Sequence, residues 1–174
     1  MLLDVRREIV IGVPRQAVWD YLADFQRHTE WSEPAQNLRI EPPSEVRVGA
    51  TFKSVGRELA RDWHNVATIT EVIPGERLEF VAEHDGSAWR NYFEIAADAK
   101  GGTLLVKGER FVSATFPMNI IVTLLSPWLN AETRRIFELD LKRIKARLEH
   151  HHSRPNEGLG VRGDAGAPAA PSFV

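Results

Sequence analysis

Two oppositely charged residues, Lys107 and Glu109, lie two positions apart in the segment GGTLLVKGERF, which begins at Gly101. This segment has the composition of a β-strand entered from a glycine turn, and side chains alternate between the two faces of a strand. One face therefore carries Thr103, Leu105, Lys107, Glu109 and Phe111, and the other carries Leu104, Val106, Gly108 and Arg110. Two interpretations are open. Either the two charges line a pocket, where they bind each other or a ligand, or the strand extends beyond the core and both charges are solvated.

Acid–base chemistry is the reaction type that these residues could support. A carboxyl group such as Glu109, if it is held away from water, has a raised pKa and can move protons in an aldol cyclisation or a dehydration. Lys107 would oppose that shift, because a nearby cation favours the ionised carboxylate. His84 is a second candidate general base, since an imidazole titrates near neutral pH.

Several other kinds of chemistry lack their motifs. The chain has no GxSxG elbow, no phosphate-binding glycine loop and no GxGxxG segment after a strand, which argues against hydrolase, kinase and dehydrogenase functions. The six histidines show no metal-binding spacing, and there is no cysteine. We therefore expect no metal site, no disulfide and no cofactor.

Composition restricts the class of partner. The net charge is −2 over 174 residues, with both signs mixed along the chain, which gives no electrostatic case for nucleic-acid binding. No apolar run approaches the roughly 18 residues of a membrane span, and the N-terminus lacks the pattern of a signal peptide. We expect a cytoplasmic protein with no stable membrane insertion and no nucleic-acid partner. The sequence does not indicate its oligomeric state.

The order of elements predicts an α+β fold. A strand, LLDVRREIVIGV, precedes two short helices in PRQAVWDYLADF and QRHTEW, and about six antiparallel strands follow between positions 38 and 111. Phe137, Leu141, Ile144 and Leu148 form the apolar stripe of a long C-terminal helix, for which Ser126 and Pro127 resemble the start. Trp19 and Trp128 are predicted to pack in the core.

The long helix is the only element large enough to cover a sheet of this size. A curved sheet around a helix leaves a space between them, so we expect an internal cavity. We predict that residues 1–150 form this domain. Residues 151–174 are rich in Gly, Pro and Ala, which favours a disordered tail.

Three segments resemble the SRPBCC superfamily, also called START-like or helix-grip, and most closely its polyketide cyclase/dehydratase-like branch. They are VPRQAVWDYLADFQRHTEW, DWHNVATITEVIPGERLEF and YFEIAADAKGGTLLV. The resemblance covers roughly Leu2 to Leu148. It implies a curved antiparallel sheet of about seven strands wrapped around the C-terminal helix, with a hydrophobic cavity that binds a lipid, polyketide, sterol, hormone or quinone. It supplies no universal catalytic motif.

The family pattern also implies that Leu105 points inward, which places Lys107, Glu109 and Phe111 on the same inner row. Strand alternation then extends the candidate cavity to neighbouring strands. The predicted ligand-binding residues are Trp31, Trp63, Asn65, Phe80, Trp89, Asn91, Phe93, Lys107 and Glu109. Aromatic walls with a few polar groups suit a small amphipathic ligand. Trp31 could equally belong to the core, and Asn65 could bond a neighbouring side chain or water instead of a ligand.

The leading hypothesis is a protein that binds a small hydrophobic or aromatic ligand in this cavity. The alternatives are a true cyclase or dehydratase that uses Glu109 or His84, and a lipid or quinone carrier. The residues leave open whether the protein is an enzyme.

Overall fold

A computed structural model describes residues 3–32, 39–41, 43, 45–58, 61–84 and 86–153. The strands are β1 Asp4–Ile11, β2 Arg39–Glu41, β3 Thr51–Glu58, β4 Arg61–Ile73, β5 Arg77–His84, β6 Ser87–Ala97 and β7 Thr103–Ala114. The helices are α1 Arg15–Ala23, a short 3-10 helix Phe25–Glu30, and α2 Met118–His152.

All seven strands form one antiparallel sheet in the order β1-β7-β6-β5-β4-β3-β2. Strands β3 to β7 are consecutive neighbours, as short turns between antiparallel strands require. The two short helices occupy the connection after β1, and β1 pairs with β7. The predicted α+β helix-grip arrangement is confirmed.

The turn before β7 depends on glycine. Gly102 has a φ of 106°, and a Cβ atom there would lie 2.6 Å from the main-chain oxygen of Ile11. A side chain is therefore excluded by both conformation and space. The turn delivers Thr103 to a buried position, where its hydroxyl donates a hydrogen bond of 2.7 Å to the Val13 oxygen.

Helix α2 packs against β1 and β7 and closes the main core. The predicted stripe is confirmed, since Phe137, Leu141, Ile144 and Leu148 are all buried. Polar contacts hold the C-terminal half of the helix to the rest of the domain, and Lys145 donates a hydrogen bond of 2.8 Å to the Val10 oxygen. Glu149 accepts a hydrogen bond of 2.8 Å from the Gly12 N–H.

The start of α2 differs from the prediction. The helix begins at Met118 and continues through Pro127, so Pro127 lies inside it and Ser126 is not its N-cap. An internal proline costs roughly 3 kcal/mol because it removes one helical hydrogen bond. Packing of Val122 and Met118 against a second apolar cluster, on β1 and β7, offsets that cost. Trp128 is 63% exposed, so its predicted core position is wrong.

Two boundary observations complete the fold. Helix α2 includes His151 and His152, two residues past the predicted domain boundary, and residues 154–174 lie outside the described part of the chain. Within the part described, no helix is both long and apolar enough to cross a bilayer.

Candidate functional site

The inner face of β7 carries the two charged residues that the sequence singled out. Leu105 and Lys107 point toward α2 and are buried, whereas Gly108 lies on the opposite face. A Cβ atom on Gly108 would lie 2.0 Å from the ring of Tyr92, so the absence of a side chain lets that ring cross the outer face of β7. Lys107 and Glu109 therefore share the face that is covered by the helix.

Lys107 makes an ion pair with Asp140 of α2. Both residues are buried, at 8% and 1% exposure. The ammonium nitrogen also lies 4.8 Å from the centre of the Trp31 ring and 4.4 Å from that of Phe137. The anion and the two aromatic faces satisfy the cation and fasten β7 to α2.

Asp140 was missed in the sequence, although a signal for it exists. It lies three residues after Phe137 and four before Ile144, which places it on the buried side of α2. A single carboxylate within an apolar helical stripe indicates a buried cationic partner. The sequence interpretation considered Glu109 as the partner of Lys107, but the structure shows the Lys107–Asp140 pair instead.

Glu109 has no hydrogen bond or ion pair to any described residue. It is half-buried, between Val5 on β1 and Asn91 on β6 in the strand register. Burial raises the pKa of its carboxyl group to about 7, against the opposing effect of the Lys107 charge. Glu109 can therefore exchange a proton near neutral pH.

A row of inward side chains extends from Glu109 across the sheet. Asn91 pairs with Glu109 in the register of β6 and β7, and Phe80 pairs with Asn91 in that of β5 and β6. Directly paired residues share a face. All three side chains are half-buried, so helix α2 leaves solvent access to this part of the concave face.

Asn65 extends the polar part of the concave face on β4. Its Nδ2 donates a hydrogen bond of 3.3 Å to the Ser54 hydroxyl, while its Oδ1 is buried and has no partner in the described structure. A buried acceptor without a partner carries a free-energy cost, which a ligand or water donor would remove. Asn91 is weakly engaged, since its Nδ2 donates to the Trp89 oxygen at 3.4 Å.

Aromatic rings form the closed end of the concave face. Trp31 and Phe93 are buried and meet edge to face at 5.8 Å between ring centres. His28 lies beside them, 4.8 Å from Trp31, and donates its Nε2–H to the Leu22 oxygen. Burial lowers the pKa of His28 to about 4, so its ring is neutral at physiological pH. His28 was not predicted, because nothing in its spacing distinguishes it.

The open end is bounded by Trp89, which packs edge to face on Phe111 at 5.1 Å. The Trp89 Nε1–H donates to the Ser87 hydroxyl. Val122 and Met118 of α2 pack in the same cluster. The first half of α2 therefore lies at the end of the concave face nearest Glu109.

The two remaining candidates lie elsewhere. His84 is exposed at the end of β5, where its main-chain oxygen accepts from Ser87, so the structure does not bring it to Glu109. Trp63 belongs to β4, but its side chain lies outside the described part of the chain.

Two concavities of the described residues do not include the predicted ligand-binding residues. One, of about 450 Å³, lies on the outer face of the sheet beside Arg6, Arg77 and Val106. The other, of about 180 Å³, lies between Tyr21 and Leu148. We call the concave face between Glu109 and Asn65 the groove. Neither concavity includes it, and the internal cavity expected from the sequence stays a prediction.

Among the residues that the structure describes, no group of three or more histidine or carboxylate side chains is placed to hold a metal ion.

Comparison with known families identifies the chain. Residues 3–149 match the family described as "Polyketide cyclase / dehydrase and lipid transport". The chain belongs to this family. No curated protein matches it significantly.

Solved structures with the same fold extend over nearly the whole domain. The aromatase/cyclase Zhui from Streptomyces sp. R1128 aligns with a TM-score of 0.67 at 14% identity, covering 86% of this chain and 95% of that one. A protein of unknown function from Staphylococcus aureus aligns at 0.70 and 13%, covering 87% and 96%. A protein from Thermus thermophilus aligns at 0.66 and 17%, covering 86% and 99%. At these identities the likeness shows the fold alone.

Proposed function

We propose that this protein binds a small hydrophobic or aromatic ligand on the concave face of the sheet, with Glu109 holding a polar group of that ligand. The observation that carries the proposal is the half-buried row Phe80, Asn91 and Glu109. The pKa of the Glu109 carboxyl group is raised, and this group has no partner among the described residues. Buried polar groups are normally satisfied, so a partner from solution fits here. The unsatisfied Oδ1 of Asn65 supports the same conclusion.

The Lys107–Asp140 pair gives Lys107 a supporting role. Its ammonium group is already neutralised by Asp140 and enclosed by Trp31 and Phe137. Lys107 therefore positions β7 against α2, while Glu109, two residues further, faces the open part of the groove. Trp31 and Phe93 close the inner end as apolar walls.

A pH-dependent binding experiment tests the proposal. The probe is 8-anilinonaphthalene-1-sulfonate, an aromatic anion whose fluorescence rises in apolar surroundings. Below a pH of about 7 Glu109 is protonated and neutral, and above it the carboxylate repels the sulfonate. We expect roughly tenfold weaker binding at about pH 8.5 than at about pH 5.5.

Glu109→Gln should remove most of this pH dependence, because glutamine keeps the size and loses the charge. Glu83→Gln is the matched control, since Glu83 is exposed on β5, which is separated from β7 by β6. A pH profile that is the same in wild type and Glu109→Gln would show that the probe does not meet this carboxyl group.

The pKa of Glu109 favours a second candidate function, dehydration of a β-hydroxyketone. The Glu109 carboxylate would take the proton from the carbon between the carbonyl and the hydroxyl-bearing carbon. A C=C bond would then form as the C–O bond breaks, and the hydroxide would leave as water with the proton returned by Glu109. The enone product absorbs in the ultraviolet, so turnover of an aryl β-hydroxyketone by wild type but not by Glu109→Gln would separate catalysis from binding alone.

A further inference from the structure

The first half of α2 exposes an apolar patch. Phe116, just before the helix, is 79% exposed, and Leu124 and Trp128 are 74% and 63% exposed. The patch consists of Phe116, Ile120, Ile121, Leu124, Leu125 and Trp128. Side chains as exposed as these protrude from the surface, and no described residue covers them.

The patch follows the helical period. Ile120, Leu124 and Trp128 are spaced by four, and Ile121 and Leu125 lie beside them, so the helix residues form one outward stripe. The opposite side of the same turns carries Met118, Val122 and Leu129, which pack toward Trp89 and Phe111. This half of α2 is thus apolar on both its inner and its outer side.

The patch lies in a long uncharged segment. Positions 111–131 contain no Asp, Glu, Lys, Arg or His, although charged residues make up 26% of the chain. Protein–protein interfaces usually surround an apolar centre with a polar rim that makes directed hydrogen bonds and ion pairs. Here the polar residues of the segment, such as Asn119 and Thr123, are uncharged and cannot form ion pairs with a partner protein.

From this chemistry we propose that the apolar patch docks into the interfacial region of a lipid bilayer. Tryptophan and phenylalanine are favoured at the boundary between headgroups and acyl chains. The helix lies on the membrane and does not span it, in line with the absence of a spanning helix in the described chain. Because positions 111–131 contain no Lys, Arg or His, insertion of apolar side chains supplies the affinity and anionic lipid is not required.

Docking there would bring the groove close to the bilayer. The inner side of the same helix half contacts Trp89 and Phe111, at the end of the concave face nearest Glu109. An apolar ligand could then pass between membrane and groove with little exposure to water. Only this last step rests on the proposed ligand binding, since docking itself requires the patch alone.

Co-sedimentation of the full chain with phosphatidylcholine vesicles tests the proposal. We expect the wild type to partition onto these vesicles, and the double variant Leu124→Gln, Trp128→Gln to partition at least about tenfold less, since two apolar side chains lose their transfer to lipid. Val48→Gln is the control, because Val48 is an exposed apolar residue outside the patch. The Trp128→Phe variant should still bind the vesicles. Brominated lipid should quench its tryptophan fluorescence much less than that of the wild type, because the tryptophan nearest the lipid is gone.

Any of the following results would overturn the proposal. Wild type and the double variant could partition equally, or not at all. Binding could require added phosphatidylglycerol and disappear in salt, which would indicate electrostatic attraction. Finally, sedimentation without lipid could show a dimer that the double variant dissociates, while neither protein binds vesicles. In that case the patch is an interface between two copies. None of these results depends on the pH profile of 8-anilinonaphthalene-1-sulfonate binding. The membrane-docking proposal and the ligand-binding proposal can therefore be refuted independently.

Discussion

Lys107 and Glu109 have different environments although they share one face of β7. Asp140, Trp31 and Phe137 enclose the Lys107 ammonium group, whereas the Glu109 carboxyl group has no described partner and its pKa is raised to about 7. The difference arises because α2 lies over Lys107 and leaves Glu109 half-buried. Of these two oppositely charged inward residues, Lys107 therefore has a structural role and Glu109 is the candidate functional residue.

The Lys107–Asp140 pair predicts a large asymmetry between single and double substitutions. Lys107→Met removes the ammonium group that faces a carboxylate of 1% exposure, and it should cost about 3–5 kcal/mol in the free energy of unfolding. Adding Asp140→Leu should restore most of that loss, because the buried charge is then gone. Urea denaturation of both variants measures the effect.

Arg110→Met provides the control on the same strand. Arg110 pairs with Asp4, but both side chains are substantially exposed, and such pairs contribute less than about 1 kcal/mol. If Lys107→Met were no more destabilising than Arg110→Met, the buried pair would not hold β7 to α2.

At the scale of elements, α2 has two halves with different roles. The second half buries Phe137, Leu141, Ile144 and Leu148 against the sheet, while the first half touches β1 and β7 on one side only. Pro127 lies between them, and the chain remains helical through it. The second half therefore supplies most of the packing between α2 and the sheet.

Leu141→Asp should destabilise the protein by several kcal/mol. The side chain is 2% exposed in the main core, so the substitution buries an unpaired charge and removes apolar contacts. Lys142→Asp, at the adjacent exposed position, should change the free energy of unfolding by less than about 1 kcal/mol. Thermal and urea unfolding measure the stabilities of the two variants. If these stabilities were similar, the assignment of the buried stripe would be wrong.

At the scale of the whole molecule, the described residues form one sheet closed by one long helix, and residues 154–174 lie outside the described part. Their composition still predicts that they bury little apolar surface. Deleting them should leave the melting temperature within a few degrees of the full chain, as calorimetry can measure. A much larger decrease would show that the tail packs on the domain.

The sequence by itself determined the fold class and the inward row of β7. Period-2 alternation in GGTLLVKGERF and the stripe from Phe137 to Leu148 are local signals, and the resemblance to the SRPBCC superfamily placed them in one arrangement. The start of α2 was not predictable, because Ser126 and Pro127 resemble a helix start while the packing of Val122 overrides the cost of an internal proline.

Only the tertiary structure decided which charges meet. Lys107 and Asp140 are 33 residues apart, and their pairing depends on how α2 crosses β7, a geometry that no local spacing encodes. The same crossing leaves Glu109 without a described partner and exposes Trp128. Side-chain burial is a property of packed elements, and for these residues it follows from where one helix lies on the sheet.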